Sequence, residues 1–400
     1  MSFSRRTKPL VTFTISTFNR RDVLRNTLNH LRDCGLARGY FETIVVDNAS
    51  TDGTAQMLRQ RFPEVQCITL AENRGSCAKN MAIEQARGHY IVFLDDDSYP
   101  MPGSITQMAR HFDADPQLGA AVFTVHLPDG SRECSAYPDV FIGCGTGFRA
   151  EVLRQLGGLR TDFFMQAEEY DLSLRLMHAG YRVTSFDDLH VMHLKTPTAR
   201  RSARTTRLDV RNNVMVAAKY FPNESAWTFG CDWMKRYYRM AASKGQRTAF
   251  VVGILQGLAK LMQPGFRQPV TRAIFEQFSR SRQIEREMSR IGVRSILFVD
   301  YGKNILPYWL AAERLGIRVV GIADNRLAGP GCYRGIPIVT DEVARRMAFD
   351  AIIVSNSSPV HGQQRAQAWR RIDSRPVYDL LHPAHTATAR SLSVPRAMAA

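Results

Sequence analysis

The sequence is organised around one stretch, Tyr90-Ile91-Val92-Phe93-Leu94-Asp95-Asp96-Asp97-Ser98, in which an uncharged apolar run ends at three consecutive carboxylates. The run predicts a buried strand with the acids at its carboxyl end. Three adjacent negative charges repel one another by roughly 1 kcal/mol per close pair even in water, so a cation is expected beside them. Alternate residues of an extended chain point the same way, which predicts that Asp95 and Asp97 face one site while Asp96 turns aside. Such carboxylates suit a divalent metal; the alternative is a solvated acidic turn.

Length and composition indicate an ordinary globular protein. A chain of 400 residues usually divides into two domains. The longest apolar stretch, Phe250 to Met262, is interrupted by Gln256 and Lys260 and is too short to span a bilayer. Seven cysteines without Cys-x-x-Cys spacing favour reduced thiols. We therefore expect a cytoplasmic protein that is neither secreted nor integral to a membrane.

The positive charge is concentrated in one region. The formal net charge is +16. Residues 195–225 hold seven Lys or Arg against two acids, and residues 226–290 hold twelve against four. A nucleic-acid groove, an anionic membrane surface and phosphate-bearing substrates are all compatible with this pattern.

Strands alternate with helices through the first hundred residues. Apolar, β-branched runs predict strands at Leu10 to Ile15, Thr43 to Val46 and Gln66 to Leu70, and each is followed by a helical pattern before the acidic stretch begins. This alternation predicts a mostly parallel sheet with helices on both faces. Ligands bind beyond the carboxyl ends of such strands, which here carry Thr17, Asp47, Asn73 and Asp95.

Several motifs in this order resemble the inverting family 2 glycosyltransferases, which have the GT-A nucleotide-sugar-binding fold. The motifs are Ile15-Ser16-Thr17-Phe18-Asn19-Arg20, Val45-Val46-Asp47-Asn48-Ala49-Ser50-Thr51-Asp52-Gly53-Thr54, Asn73-Arg74-Gly75 with Lys79-Asn80, and Asp95-Asp96-Asp97. The resemblance covers roughly residues 8 to 225 and extends to the spacing of the motifs.

The resemblance implies a nucleoside diphosphate sugar as donor, with a UDP- or dTDP-sugar favoured. It implies that Asp47, with Thr17, holds the base, that Asp95 lies near the ribose and the metal, and that Asp97 ligates the metal. A carboxylate is a suitable acceptor for the imide N–H of uracil or thymine. The alternative for Asp47 is a turn former at the strand end. The donor-binding residues implied in full are Thr17, Asn19, Arg20, Asp47, Asn48, Asn73, Gly75, Lys79, Asn80, Asp95, Asp96 and Gly145.

Two later segments complete the implied site. Gly143-Cys144-Gly145-Thr146-Gly147-Phe148 stands where the family has its donor-sugar loop, although a flexible turn is the alternative. Glu168-Glu169-Tyr170-Asp171 begins a helix, and acids there also favour the helix dipole for structural reasons alone. The family's general base corresponds to Glu169, where the commoner residue is Asp. Glu168 and Asp171 are the fallback candidates.

The resemblance also implies a third metal ligand. His193 follows a predicted strand, Arg182 to Phe186, and stands where the family has a metal-ligating histidine. The implied ligands of Mn²⁺ or Mg²⁺ are Asp97, Asp95 and His193. Lys195 to Arg207 resembles a mobile flap over the diphosphate; a solvated basic loop is the alternative.

The helical segment that follows mixes aromatic with basic side chains. They are Trp227, Trp233, Tyr237, Tyr238 and Phe250 among Lys235, Arg236, Arg239 and Arg247. This mixture suits an interface helix on anionic lipid or a single-stranded nucleic acid. Helices that merely pack on the catalytic domain are the third interpretation. We favour peripheral contact with the inner face of the cell membrane and predict no nucleic-acid partner.

A second α/β unit is predicted near the end of the chain. Ser295 to Val299 and Val319 to Ala323 are predicted strands flanking a helix from Ile305 to Leu315, and Asp324 follows. This is a Rossmann-like βαβ pattern, but of three expected glycines only Gly302 is present, so we do not predict NAD. The segment 292 to 382 is similar to the small nucleotide-sugar-binding domain at the front of bacterial sugar O- and N-acyltransferases. No acyltransferase repeat follows it, which leaves binding of a nucleotide sugar, regulation or scaffolding as its role.

The sequence therefore predicts an α/β protein with four segments: a GT-A domain (1–225), a basic and aromatic helical extension (226–290), a Rossmann-like domain (291–383) and a disordered tail (384–400). The predicted activity is metal-dependent, inverting transfer of a sugar to a hydroxyl of a glycan or lipid-linked glycan. One alternative is a sugar nucleotidyltransferase, although Ser16 to Arg20 lacks the glycine-rich loop that such an enzyme wants. The other is a non-catalytic protein that binds nucleic acid or nucleotide sugars.

Overall fold

The computed structural model describes residues 8–37, 39–195, 202–329 and 331–382. The predicted disordered tail and residues 196–201 of the predicted flap lie outside the described residues. All seven cysteines are described, and all are free thiols, as expected.

The first sheet has nine strands. They are β1 (Val11–Thr17), β2 (Phe41–Asp47), β3 (Gln66–Thr69), β4 (Tyr90–Asp95), β5 (Ser98–Pro100), β6 (Leu118–His126), β7 (Arg132–Glu133), β8 (Thr146–Arg149) and β9 (Arg182–His193). The order is β3-β2-β1-β4-β8-β6-β9-β5, and β7 pairs with β6. The half formed by β3, β2, β1 and β4 is parallel, as predicted. In the other half β8 runs antiparallel to both β4 and β6, because it is reached through a loop rather than through a crossover helix.

Helices cover both faces of this sheet. The α-helices of all the described residues, in chain order, are α1 (Arg21–Arg32), α2 (Thr54–Arg61), α3 (Lys79–Gln85), α4 (Ser104–Ala114), α5 (Ala150–Gln155), α6 (Glu168–His178), α7 (Ala203–Tyr220), α8 (Asn223–Ser243), α9 (Arg247–Leu261), α10 (Arg272–Ser279), α11 (Ser281–Ser289), α12 (Ile305–Arg314), α13 (Asp341–Arg345) and α14 (Pro359–Ile372). Side chains of β4 alternate between two cores: Val92 and Leu94 pack with α1 and α4, and Ile91 and Phe93 pack with α3 and α5. The acidic end of β4 is thereby fixed between two buried layers.

A second sheet follows the helical extension. Its strands are β10 (Ser295–Val299), β11 (Arg318–Ala323), β12 (Cys332–Tyr333), β13 (Ile336–Val339), β14 (Ala351–Val354) and β15 (Val377–Tyr378). The order is β12-β13-β11-β10-β14-β15, parallel except where β12 meets β13. The predicted βαβ unit is confirmed as β10, α12 and β11.

The helical extension lies between the two sheets, and this corrects part of the sequence interpretation. Trp233 and Tyr237 are buried in a core shared with α6 and α7. Arg236 Nε donates to the carbonyl of Tyr301 at 2.8 Å. Arg239 Nη2 donates to the carbonyl of Cys332 at 3.1 Å. These four side chains make internal contacts, so they do not form the membrane-facing surface that their pattern suggested. Among the helices of the described segments, none is long and apolar enough to cross a membrane.

Candidate active site

The parallel register brings three predicted polar residues to one edge of the first sheet. Thr17 pairs with Asp47 across β1 and β2, and Ser16 pairs with Asp95 across β1 and β4. Because these strands are parallel, their carboxyl ends lie side by side.

Arg20 organises the acidic triplet. Its Nη1 contacts Asp96 Oδ1 at 2.8 Å, and its Nη2 contacts Asp97 Oδ2 at 2.8 Å. Asp96 also accepts a hydrogen bond from Thr17 Oγ1 at 2.8 Å. Arg20 and Thr17 thus hold Asp96, whereas Asp95 and Asp97 both lie close to His193. Because β4 ends at Asp95, the two-residue period of a strand does not by itself fix the direction of the two acids that follow.

His193 lies at the other side of the triplet. Its Nε2 is 3.2 Å from Asp97 Oδ1, and its Nδ1 is 3.1 Å from Glu133 Oε2. One ligand atom each from Asp95, Cys144 and His193 lie within 4.8 Å of one another. The structure thus brings together the three predicted metal ligands, with Asp97 in contact with His193. It adds Cys144 and Glu133, which the sequence interpretation did not single out.

The electrostatics of this cluster follow from burial and pairing. Burial raises the pKa of Asp96 to about 6, although Arg20 acts against the rise. Burial would also raise the pKa of Asp97, but the hydrogen bonds from His193 and Arg20 outweigh it and lower that pKa. Burial would lower the pKa of His193, but Asp97, Cys144 and Glu133 together raise it to about 12. The cluster therefore favours the protonated, positively charged form of His193.

Asp95 faces the cleft more openly than its two neighbours. Its side chain is 35% exposed, against 1% for Asp97. Lys79 Nζ lies 3.4 Å from Asp95 Oδ1 and is itself buried. Asp95 is thus the carboxylate of the triplet that is most accessible from the cleft.

Asp47 has one oxygen that the described part of the chain does not use. The side chain is fully buried at the end of β2. Its Oδ1 accepts a hydrogen bond from the backbone N–H of Ser50 at 3.0 Å. Its Oδ2 is buried and has no hydrogen-bond partner among the described residues. A buried acceptor of this kind is costly unless something pairs with it.

Four other predicted donor-binding side chains hold loops in place. Asn19 Oδ1 accepts from the N–H of Thr51 at 2.7 Å, and Asn48 Oδ1 accepts from that of Arg74 at 3.0 Å. Asn73 Oδ1 accepts from the N–H of Gly75 at 2.8 Å, and Asn80 pairs with both backbone groups of Leu159 at 2.6 and 2.8 Å. These contacts join the turns after β1 and β2 to the segments that border the cleft.

Two of the predicted glycines are required by close packing. Gly75 has φ of 64°, and a Cβ there would lie 2.2 Å from the carbonyl oxygen of Phe164. A Cβ at Gly145 would lie 2.5 Å from Val191 Cγ1. Both positions therefore need glycine whether or not a ligand approaches them.

The acids at the start of α6 have different environments. Glu168 is buried and Glu169 is half-buried. Glu169 Oε1 faces the glycine loop, since a Cβ at Gly143 would lie 3.7 Å from it. Burial, and then the neighbouring Glu168 carboxylate, raise the pKa of Glu169 well above the usual glutamate range. A carboxyl group with a raised pKa is a stronger base once it is ionised.

Asp171 is committed to a structural contact. It is fully buried, and its Oδ2 accepts from Arg175 Nε at 2.9 Å and from Nη2 at 2.6 Å. Tyr220 donates its hydroxyl to Asp171 Oδ1. These partners occupy both oxygens, which leaves Glu168 and Glu169 as the acids available to a substrate.

A strained loop positions Glu169. Phe164, Gln166 and Ala167 have φ of 63°, 73° and 65°, a region that side-chain-bearing residues rarely adopt. Asn212 of α7 holds this loop, because its Nδ2 donates to the carbonyls of Phe163, Met165 and Gln166 at 2.9, 2.8 and 2.6 Å.

The second sheet reaches the back of α6 through Lys303. This buried ammonium lies 3.8 Å from the ring centroid of Tyr170 and 3.9 Å from that of Trp233, and it donates to Asn213 Oδ1. Tyr170 is the chain neighbour of Glu169. The sequence contained no signal for this contact, because the three partners come from α6, α7 and α8.

The second sheet also contacts the loop that leads to Cys144. Asn304 Nδ2 donates to the carbonyl of Ala136 at 2.8 Å. Cys134 Sγ and Ser358 Oγ lie 3.0 Å apart. Asn304 follows β10, and Ser358 follows β14, so the carboxyl edge of the second sheet is in contact with the first part of the chain.

Comparison with known proteins finds sequence similarity in the first part of the chain. Residues 12–171 match the family described as "Glycosyl transferase family 2". The putative teichuronic acid biosynthesis glycosyltransferase TuaG of Bacillus subtilis is 38% identical over 94 residues, which are 22% of this chain and 36% of that protein. The poly-beta-1,6-N-acetyl-D-glucosamine synthase of Staphylococcus aureus is 31% identical over 199 residues, which are 43% of this chain and 47% of that protein. This chain thus covers less than half the length of both relatives.

The solved structures that resemble part of this chain include a mannosyltransferase of Pyrobaculum calidifontis in complex with GDP-Man and Mn²⁺. It is 20% identical, with a TM-score of 0.46, and the match covers 63% of this chain and 87% of that chain.

Proposed function

We propose that this protein is an inverting, divalent-metal-dependent glycosyltransferase that moves a sugar from a nucleoside diphosphate sugar to a hydroxyl of a glycan or lipid-linked glycan. The observation that carries the proposal is the convergence, at one sheet edge, of the unpartnered Asp47 oxygen, the cluster of Asp95, Asp97 and His193, and the start of α6 with Glu169. The family match over residues 12–171 supports the reaction class. The names of two relatives, which refer to teichuronic acid and to poly-N-acetylglucosamine, support a glycan acceptor.

Asp47 would recognise the base of the donor. A free carboxylate oxygen accepts a hydrogen bond from an N–H group, and uracil and thymine present one at their imide nitrogen. A UDP- or dTDP-sugar is therefore the donor class that fits Asp47 Oδ2 best.

The side chains at the proposed metal site fit Mn²⁺ or Mg²⁺. Carboxylates and an imidazole are suitable ligands for these ions, and Asp95 and His193 would hold the ion, with Asp97 as a further ligand or as the group that orients His193. Burial lowers the pKa of His193, but Asp97, Cys144 and Glu133 raise it to about 12, so the imidazole would have to release its proton when the ion binds. When bound, such an ion neutralises the diphosphate and so makes it a better leaving group.

Glu169 would act as the general base. Its carboxylate takes the proton of the acceptor hydroxyl as the hydroxyl oxygen forms a bond to the anomeric carbon. The bond between that carbon and the diphosphate breaks on the opposite side, so the configuration inverts and the electron pair leaves with the nucleoside diphosphate. Lys79, beside Asp95, adds positive charge at this edge.

We propose that the chain divides near residues 225 and 290, and that residues 291–383 act as a scaffold. In parallel sheets of this kind ligands bind beyond the carboxyl ends of the strands. Here that edge contacts residues 134 and 136 through Ser358 and Asn304. This contact favours support of the catalytic part over a separate nucleotide-sugar site, which the likeness to acyltransferase front domains had suggested.

The function is tested by incubating the full chain with a panel of sugar nucleotides, with Mn²⁺ or with a chelator, and by measuring the released products. We expect slow release of nucleoside diphosphate that needs the metal. The variant Asp97→Asn should lose at least about nine-tenths of the rate, equivalent to about 1.4 kcal/mol. Asp188→Asn, which alters an exposed pair with His111, is the matched control and should keep the wild-type rate.

Two other results would replace the proposal. Release of pyrophosphate from a sugar phosphate and a nucleoside triphosphate would identify a nucleotidyltransferase. Tight binding of a donor without hydrolysis or transfer to any glycan would identify a binding protein.

A further inference from the structure

The outer face of α9 is apolar and exposed. Val251, Leu255, Leu258 and Met262 follow one another at intervals of four, three and four residues. Their side chains are 52%, 62%, 49% and 86% exposed. Intervals of three and four place side chains on one face of a helix. These four residues, called the α9 stripe below, form a continuous apolar surface beyond what scattered surface residues normally present.

Close packing on the opposite side of α9 fixes the direction of this stripe. A Cβ at Gly253 would lie 2.7 Å from the carbonyl oxygen of Arg207, and one at Gly257 would lie 2.8 Å from Val214 Cβ. Both glycines are buried, so the α9 backbone lies directly against α7. At 100° per residue, these glycines are about half a turn away from the α9 stripe. The stripe therefore cannot turn inward while α9 stays on α7.

The stretch of sequence that contains α9 carries charge of one sign. Residues 233–275 contain eight Lys or Arg and no Asp or Glu. Lys244 and Arg247 are exposed at the start of α9. A second copy of the chain on the stripe would bring two such cationic segments together, which is unfavourable. An anionic surface is complementary to both the charge and the apolar stripe.

We propose that α9 docks this protein on anionic lipid membranes, with the α9 stripe inserted at the boundary between headgroups and acyl chains. A helix of 15 residues is about 22 Å long, shorter than the hydrocarbon core of about 30 Å, so it lies in the plane of the interface. Lys244 and Arg247 contact the lipid phosphates. Apolar burial and attraction to anionic headgroups together give the affinity. This surface shares Arg247 with the set suggested by the sequence but excludes Arg236 and Arg239, whose side chains donate to backbone carbonyls of Tyr301 and Cys332.

Sedimentation of the full chain with vesicles tests the proposal. We expect binding to phosphatidylcholine vesicles that contain about 30% phosphatidylglycerol, and binding at least about tenfold weaker to pure phosphatidylcholine. Raising the salt to about 1 M shortens the screening length to about 3 Å and should release most of the protein. The double variant Leu255→Ser/Leu258→Ser should bind anionic vesicles at least about tenfold less than the wild type.

The matched control is Val343→Ser on α13, which removes an apolar side chain that is 47% exposed far along the chain from α9. It should bind as the wild type does. Thermal melting checks that all variants fold, and exposed positions should keep their melting temperature. Absence of binding to anionic vesicles, or equal binding by the double variant, overturns the proposal. So does a wild-type dimer that the double variant converts to a monomer, because the stripe would then be covered by a second copy.

Discussion

Substitution of Glu169 by glutamine tests whether this side chain acts as the general base or only supports the structure of α6. Glutamine keeps the size of the side chain but cannot accept a proton. If Glu169 is the general base, donor and metal affinity should stay within about twofold while turnover falls at least about a hundredfold, because a positioned base contributes a factor of about 100 to 10,000. A hundredfold loss corresponds to about 2.7 kcal/mol in the barrier. Stability should be unchanged or slightly higher, since the substitution removes repulsion from Glu168.

The neighbouring substitution Asp171→Asn should have the opposite profile. Asp171 is fully buried and holds Arg175, whose side chain is only 16% exposed, through contacts of 2.9 and 2.6 Å. Removing one partner of a buried ion pair typically costs about 3–5 kcal/mol. We therefore expect a large fall in melting temperature for Asp171→Asn and almost none for Glu169→Gln.

The two variants are compared by single-turnover rates, by calorimetric titration with the donor and by thermal melting. Together these measurements show which acid is the base and which is structural. A pH series adds a second check: the wild-type rate should fall as pH drops through the raised pKa of Glu169, and the glutamine variant should lack this dependence. Should Glu169→Gln turn over near the wild-type rate while a folded Asp171→Asn protein is inactive, the assignment of the base is wrong.

Two further predictions concern the donor and the second sheet. Asp47→Asn, measured by donor titration, should weaken binding of a UDP-sugar by about 10- to 100-fold without lowering the melting temperature, because a hydrogen bond to a charged group contributes about 1.5–3 kcal/mol; unchanged affinity would exclude Asp47 from base recognition. Burial lowers the pKa of Lys303 to about 7, with Asp209 acting against it, so between about pH 7 and 10 the unfolded chain binds more protons than the folded chain. The free energy of unfolding should therefore rise with pH in this range by up to about 1.4 kcal/mol per unit from this group, and Lys303→Met should remove that slope in urea melts; identical slopes would contradict the assignment.

The fold was largely predictable because its signals are local. The apolar run before Asp95 predicts a buried strand. The parallel pairing of β1 with β4 follows from the helices between the strands. The contacts of the acids were not predictable in the same way. Arg20 is 77 positions from Asp97 and reaches it from the turn after β1, and no local sequence pattern marks this contact.

Contacts between distant segments explain what the sequence could not show. Glu133 lies on β7, which pairs with β6, and Cys144 lies in the loop before β8, so both reach His193 from segments that are remote from it in sequence. The aromatic and basic pattern of α8 is compatible with a lipid surface, a nucleic-acid surface or internal packing, and burial of Trp233 and Tyr237 shows that these two residues pack inside. Composition alone does not distinguish these outcomes, because both use amphipathic side chains.

The contact of Lys303 with Tyr170 and Trp233 limits how the chain can change over evolution. Loss of the lysine alone would leave an empty space between two rings, and loss of the rings alone would leave a buried ammonium without its aromatic partners. Among homologous chains we therefore expect these three positions to covary, with the aromatic pair present where the lysine is present. A chimera that receives its second sheet from another protein will retain the interface only if the transferred segment brings a lysine at position 303.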